Sequence, residues 1–109
     1  MIKAQFFKTS GDLKGFKVNG HSGYAQSGRD IACAGVTSAV MMATNTITEI
    51  ICANANVKIS EAEVSLLLTG ASPKDAEYAA KAVLEGLEMH LKILSEEFQG
   101  FISVYDLEV

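Results

Sequence analysis

Gly20-His21-Ser22-Gly23-Tyr24-Ala25-Gln26-Ser27-Gly28-Arg29-Asp30-Ile31-Ala32-Cys33 joins two unlike kinds of sequence. Before it, apolar and polar residues alternate; after it, an apolar run reaches residue 53 with Glu49 as its only charge. A period-two pattern giving way to a long apolar run marks a strand handing over to a helix. Asp30 stands directly before the run, and Asp is a favoured N-cap because its carboxylate accepts orphan backbone N–H groups. The expectation is a helix over residues 30–53 with Asp30 as N-cap and Cys33 at N3, inside the first turn.

That placement carries chemistry. The unpaired N–H groups and the positive dipole end of a first turn favour a negative sulfur, and thiols so placed have lowered pKa values. His21 lies twelve residues earlier, at the far end of a segment with several glycines, so a chain folding back could bring it to the thiol. Histidine serves as general base and then general acid near neutrality. The same first-turn amides could hold an oxyanion. These parts suit acyl transfer through a thioester. The competing reading is a Cys that only packs, since Cys is among the most buried residue types; spacing leaves both open.

The motif Gly-His-Ser-Gly-Tyr-Ala-x-Ser-Gly-x-Asp-Ile-x-Cys-Ala, as it stands in residues 20–34, resembles the signature of the ribosomal-processing cysteine protease family, Prp. The likeness extends over the whole chain in length and element order. It implies a Cys–His dyad with Cys33 as nucleophile and His21 as base and acid. It implies a substrate too: the precursor of large-subunit ribosomal protein number twenty-seven, whose short N-terminal extension is removed after a pair of aromatic residues. Asp30 falls on a motif position and either caps, orients His21, or both. Thr37 stands where the family usually has Ser, keeping the hydroxyl and adding a methyl. Gly20, Ser22 and Gly23 complete the supporting or substrate-binding set. The family implies a homodimer as well, and no cofactor.

Other site classes fail on their residues. The glycine spacing lacks the Gly-Lys-Ser/Thr ending of a phosphate loop, and no dinucleotide fingerprint is present. One His and one Cys fall short of a zinc ligand set. Arg29 reads as a solvated charge and Tyr24 as cover for a peptide or for the core edge. Gly28 is either a turn glycine or a point of close approach. His90 reads as structural, and Met41 and Met42 as core filling. Gln5-Phe6-Phe7 looks like the aromatic pair cut by the family, yet aromatic residues in a strand need no such explanation.

With 109 residues, 49% hydrophobic and 20% charged, the chain suits one globular domain over 1–109. The net charge of −4, without a basic cluster, argues against direct contact with nucleic acid. Two cysteines make no disulfide framework; on one helix Cys33 and Cys52 would stand about 28 Å apart. Cys52 reads as core packing. No signal-peptide pattern opens the sequence, and Thr37, Ser38, Thr44, Asn45, Thr46, Thr48 and Glu49 interrupt the apolar run, so no membrane span is expected. A cytosolic protein is the expectation.

Taken in order, residues 2–8 and 13–20 read as a hairpin about Ser10-Gly11-Asp12, its second strand delivering His21 to a sheet rim. Strands follow at 57–59 and 64–69. A second helix runs over 73–98, with Ser72 as N-cap and Pro73 at N1. Its buried face steps through Ala76, Ala80, Val83, Leu87, Leu91, Leu94 and Phe98, and Glu88 falls among its solvated charges. A last strand covers 101–107. The fold class is α+β, ββ-α-ββ-α-β, two helices on a mainly antiparallel sheet of undetermined strand order. The first helix, apolar nearly all round, needs cover from the second helix or a second copy of the chain. The rival function is a ribosome-associated binding module with a packing Cys33; a redox-sensing thiol is a third reading.

Overall fold

The computed structural model describes residues 1–20 and 27–109, and side chains for 1–20 and 31–109. The elements are β1 (Ile2–Thr9), β2 (Asp12–Asn19), α1 (Ser27–Asn45) continued by a π-helical turn (Thr46–Ile50), β3 (Ala55–Ile59), β4 (Glu63–Leu68), α2 (Lys74–Glu97) and β5 (Ile102–Glu108). The expected order holds.

The β1–β2 hairpin closes through Ser10 and Gly11 at φ 53° and 83°. Positive φ at both loop positions gives the tight turn whose twist matches the flanking strands. Phe6 then faces Phe16 across the pair, with ring centroids 6.2 Å apart. Further along, Phe7 pairs with Gly15 and Lys8 with Leu13, so Lys14 is left over as a bulge. Gly15 admits no side chain: a Cβ there would stand 2.1 Å from the Leu66 carbonyl oxygen.

The sheet order is β3-β4-β2-β1-β5. All neighbours are antiparallel except β5, which runs parallel to β1, with Ile2 beside Ile102 and Phe6 beside Asp106. A parallel neighbour requires a crossover, and α2 supplies it between β4 and β5. Alternate strand residues face the helices: Ile2, Ala4 and Phe6, then Phe16 and Val18, then Val64, Leu66 and Leu68. They meet Ala32, Val36, Val40, Ala43 and Ile47 of α1, and Ala80, Leu84, Leu87, Leu91 and Leu94 of α2. Each large side chain fully buried here contributes about 1.5–3 kcal/mol.

Four boundary expectations are corrected. The first helix starts at Ser27, so Asp30 is its fourth residue and no N-cap, and Cys33 is its seventh. Acidic residues are favoured both at an N-cap and throughout the first turn, so Asp30 reads alike in either place. At its far end the α-helix stops at Asn45 and a π turn follows, reaching Ile50. The Thr44, Thr46 and Thr48 hydroxyls donate to carbonyls four residues back, at 2.8, 2.8 and 3.0 Å; such back-bonding loosens and bends helices. Cys52, expected in the core, is exposed at φ 58°. It occupies the left-handed position that ends the helix, where a side chain points outward. Ser72 caps nothing: its Oγ accepts the Asn54 N–H at 2.6 Å, and α2 begins at Lys74 after Pro73.

Burial brings further corrections. Met41 packs against the core as expected, while Met42 is exposed. Glu88 is buried rather than solvated, on the same stripe as Leu84 and Leu91. The segment Ile31–Ile50 has the length and mean hydropathy, 1.3, of a spanning helix. Here its Ala32–Val36–Val40–Ala43–Ile47 stripe is buried in the core, and the open side carries Ile31 and Met42 among small and uncharged polar residues.

Candidate active site

The second strand and the first helix bracket the site. β2 lies inside the sheet, between β4 and β1, which fixes its exit rigidly. At that exit Gly20 has φ 101°, and a Cβ would stand 2.3 Å from the Met1 carbonyl oxygen. Both the sign of φ and the approach of the Met1 backbone require glycine. Gly20 is a point of close backbone approach. The chain thus leaves the sheet pressed against the start of β1.

It re-enters at Ser27, and Cys33 follows in the second turn of α1. Ala32 is fully buried and Ile31 is 59% exposed, so residue 33 lies on the border between core and surface. Cys33 is half-buried, a free thiol packed on one side against the core. It is therefore neither sealed inside the core nor loose at the surface. Thr37 is exposed one turn further along the helix, and Asp30 stands one turn earlier. Residues three and four apart on a helix share a face.

The electrostatic expectation changes with the helix start. An α-helix leaves only its first four N–H groups without intrahelical partners. Those belong here to residues 27–30, one turn before the thiol. Cys33 sits within the helical hydrogen-bond ladder, so the unpaired amides do not surround its sulfur. His21, Ser22, Gly23 and Tyr24 lie outside the described residues, as do the side chains of Arg29 and Asp30. Gly28 is the second residue of α1 and not a turn glycine. Among the described residues, no cluster of three His, Cys, Asp or Glu side chains is arranged to hold a metal ion.

A second feature flanks the site's helix. Between α1 and α2 runs an open groove of about 680 Å³, lined by Gly35, Ser38, Ala39, Met42, Gly86 and His90 among others. It is mostly apolar. His90, expected on the border of the α2 faces, is exposed at the groove's rim.

Residues 1–103 match the sequence model of the family described as cysteine protease Prp. No curated protein matches the chain in sequence. Among solved structures, SMU.848 from Streptococcus mutans superposes with a TM-score of 0.85 at 20% identity, over 100% of this chain and 96% of that one. The essential ribosomal processing protease Prp from S. aureus, in complex with a substrate peptide, gives a TM-score of 0.84 at 17% identity, over 98% of this chain and 100% of that one. The same protease with a covalently linked product peptide gives 0.81 at 17% identity, with the same coverage. At these identities the structural likeness establishes the fold.

Proposed function

Because the chain belongs to the Prp family of cysteine proteases, we propose that Cys33 and His21 are its catalytic dyad and that it trims a ribosomal protein precursor. The observation that carries the reading is the family match over residues 1–103, which takes in the whole motif from Gly20 to Ala34. The half-buried Cys33, held on a helix packed to the core, suits a nucleophile that must be both positioned and reachable. The S. aureus protease was captured with substrate and with covalently linked product peptides, which favours a peptide substrate here too. The specific substrate we assign is large-subunit ribosomal protein number twenty-seven, cut after an aromatic pair.

In this mechanism His21 takes the Cys33 proton and the thiolate attacks the scissile carbonyl. The tetrahedral oxyanion collapses as His21 protonates the leaving amine, giving a thioester. His21 then draws a proton from water, which attacks the thioester and frees Cys33. With the unpaired helix amides one turn away, the ion pair with His21 becomes the main stabiliser of the thiolate. Gly20 fixes where the His21 segment begins. Asp30 and Thr37, one turn either side of Cys33, are positioning residues; Ser22 and Gly23 belong to the substrate-binding segment. The chemistry draws on no metal or organic cofactor, and the setting is the cytosol, where thiols stay reduced.

We assign the open α1 side to a second copy of the chain. Ile31, Met42, Met89 and Ile93 are more than half exposed, and small residues at Gly35, Ser38, Ala39 and Gly86 let a further helix approach closely. A patch so apolar on two helices is the kind that partners cover.

The test is mass spectrometry of the precursor incubated with wild type and with Cys33→Ser. Loss of the extension only with wild type supports the protease. An identical uncut precursor in both tubes overturns it, and unchanged ribosome association in the Cys33→Ser variant would then favour a binding module.

A further inference from the structure

Among the described residues Glu88 is the single buried charged side chain, 8% exposed. It interacts with Lys8 and Asp106, which lie late in β1 and β5. Two strand residues there share the helix-facing side. Asp106 sits beside Phe6, whose ring is fully buried, and Lys8 lies two residues beyond Phe6. The Lys8 ammonium is 3.1 Å from Asp106 Oδ2, and Lys92 Nζ is 3.9 Å from Glu88 Oε1. Glu88 Oε2 is buried with no hydrogen-bond partner. A carboxylate oxygen in that position is costly, because nothing replaces the water it lost. A carboxylic acid there is not, because it can donate to the carboxylate next to it.

We propose that Glu88 and Asp106 hold one proton between them, Glu88 Oε2–H donating to the Asp106 carboxylate, and that this bond is a pH-sensitive clasp between α2 and the edge strand β5. The groups facing it are Lys8 from β1, Asp106 from β5 and Lys92 from α2, with Glu108 acting on Lys8. Burial pushes Glu88 up from 4.5 to about 7, and the Asp106 hydrogen bond and charge add to the rise against the pull of Lys92 and Lys8. Asp106 is held below its ordinary 3.8, first by the bond from Glu88 and then by Lys8.

The sign follows from proton linkage. A carboxyl raised in the folded state contributes stability that is full below its unfolded value of 4.5 and is lost as pH rises through about 7. A depressed carboxyl contributes stability that is full above 3.8 and is lost as pH falls through its folded value. The clasp is therefore strongest in mild acid and opens on the alkaline side of neutrality.

The experiment is urea unfolding from about pH 5 to about pH 8 on wild type, Glu88→Gln and Asp106→Asn, since stability must follow the difference in bound protons. The wild-type midpoint falls across this range. Glu88→Gln, whose amide donates at every pH, loses that component of the fall and exceeds wild type at the alkaline end. Asp106→Asn also loses it. The quantity read is the difference between variant and wild type, in which contributions common to both cancel. Should a variant not fold, carboxyl-carbon NMR of the wild type decides. Glu88 titrating near 7, with Asp106 responding in the same step, supports the clasp. Glu88 titrating near 4.5, or a Glu88→Gln profile parallel to wild type, overturns it.

Discussion

The two helices lie side by side on one sheet face and do it with opposite sequences. On α2, charges accompany an apolar stripe: Lys74, Lys81, Glu85 and Lys92 run along its flank, while Met89 and Ile93 are exposed. Lys81 reaches back to Asp12 at the hairpin, donating at 2.5 Å, and its hydrogen bond and charge hold that carboxyl below the ordinary range. On α1 no charge occurs between Ile31 and Asn45, on either side. A helix needs only one apolar stripe to dock on a sheet. The outer side of α1, uncharged and with Ile31 and Met42 exposed, contributes nothing to docking. The helix that carries the proposed nucleophile is also the one whose outer surface is without charge from Ile31 to Asn45.

This contrast is breakable. Inward truncations should be severe and alike on both helices: Leu91→Ala on α2 and Ile47→Ala on the continuation of α1, both fully buried, each lose about 2–5 kcal/mol in urea titrations. A negligible loss for Ile47→Ala would show that α1 does not dock as described. Next comes Gly20→Ala, which sets a methyl against the Met1 carbonyl and strains a left-handed residue. It should cost about 1–3 kcal/mol, and peptide cleavage should fall by more than the folded fraction does. Cleavage that merely tracks folding would detach the rim of β2 from the chemistry.

Outward changes separate the helices. Met42→Glu on α1 should leave the urea midpoint of dilute protein within about 0.5 kcal/mol of wild type while shifting sedimentation toward a single chain. Glu85→Ala on α2 should alter neither. Equal sedimentation of Met42→Glu and wild type would remove the second copy from α1. Gly86→Ala should act in the opposite sense. Nothing lies within 4 Å of a Cβ there, so the substitution should gain about 0.4–1 kcal/mol by restricting the unfolded chain. If it also weakens self-association, Gly86 lies under the partner.

How far these features could be read beforehand depended on the range of the forces involved. The hairpin was legible because Ser10-Gly11 and the flanking alternation are local. The stripe through Leu87, Leu91 and Leu94 was legible for the same reason. Glu88 was not, since its charge assigned it to solvent although its spacing from Leu84 and Leu91 put it inside; periodicity outranked polarity there. The start of α1 was misjudged because Asp30 suits two adjacent roles equally. Cys52 ends its helix in a left-handed conformation that only the preceding π turn explains. The position of β5 beside β1 was invisible, being a pairing between the two ends of the sequence. At the site, the motif identified the family, and Gly20 became explicable only once the Met1 backbone was seen against it.

That same pairing orders events in time. As the polypeptide is made, β1 emerges first and finds β2 within a few residues, yet its other flank stays bare until residues 102–108 follow. A nascent chain therefore displays an unclaimed strand flank until residues 102–108 have been made, a template for any extended segment nearby. Lys3 and Lys8, set along that strand, are the charges that discourage the wrong guest until β5 arrives.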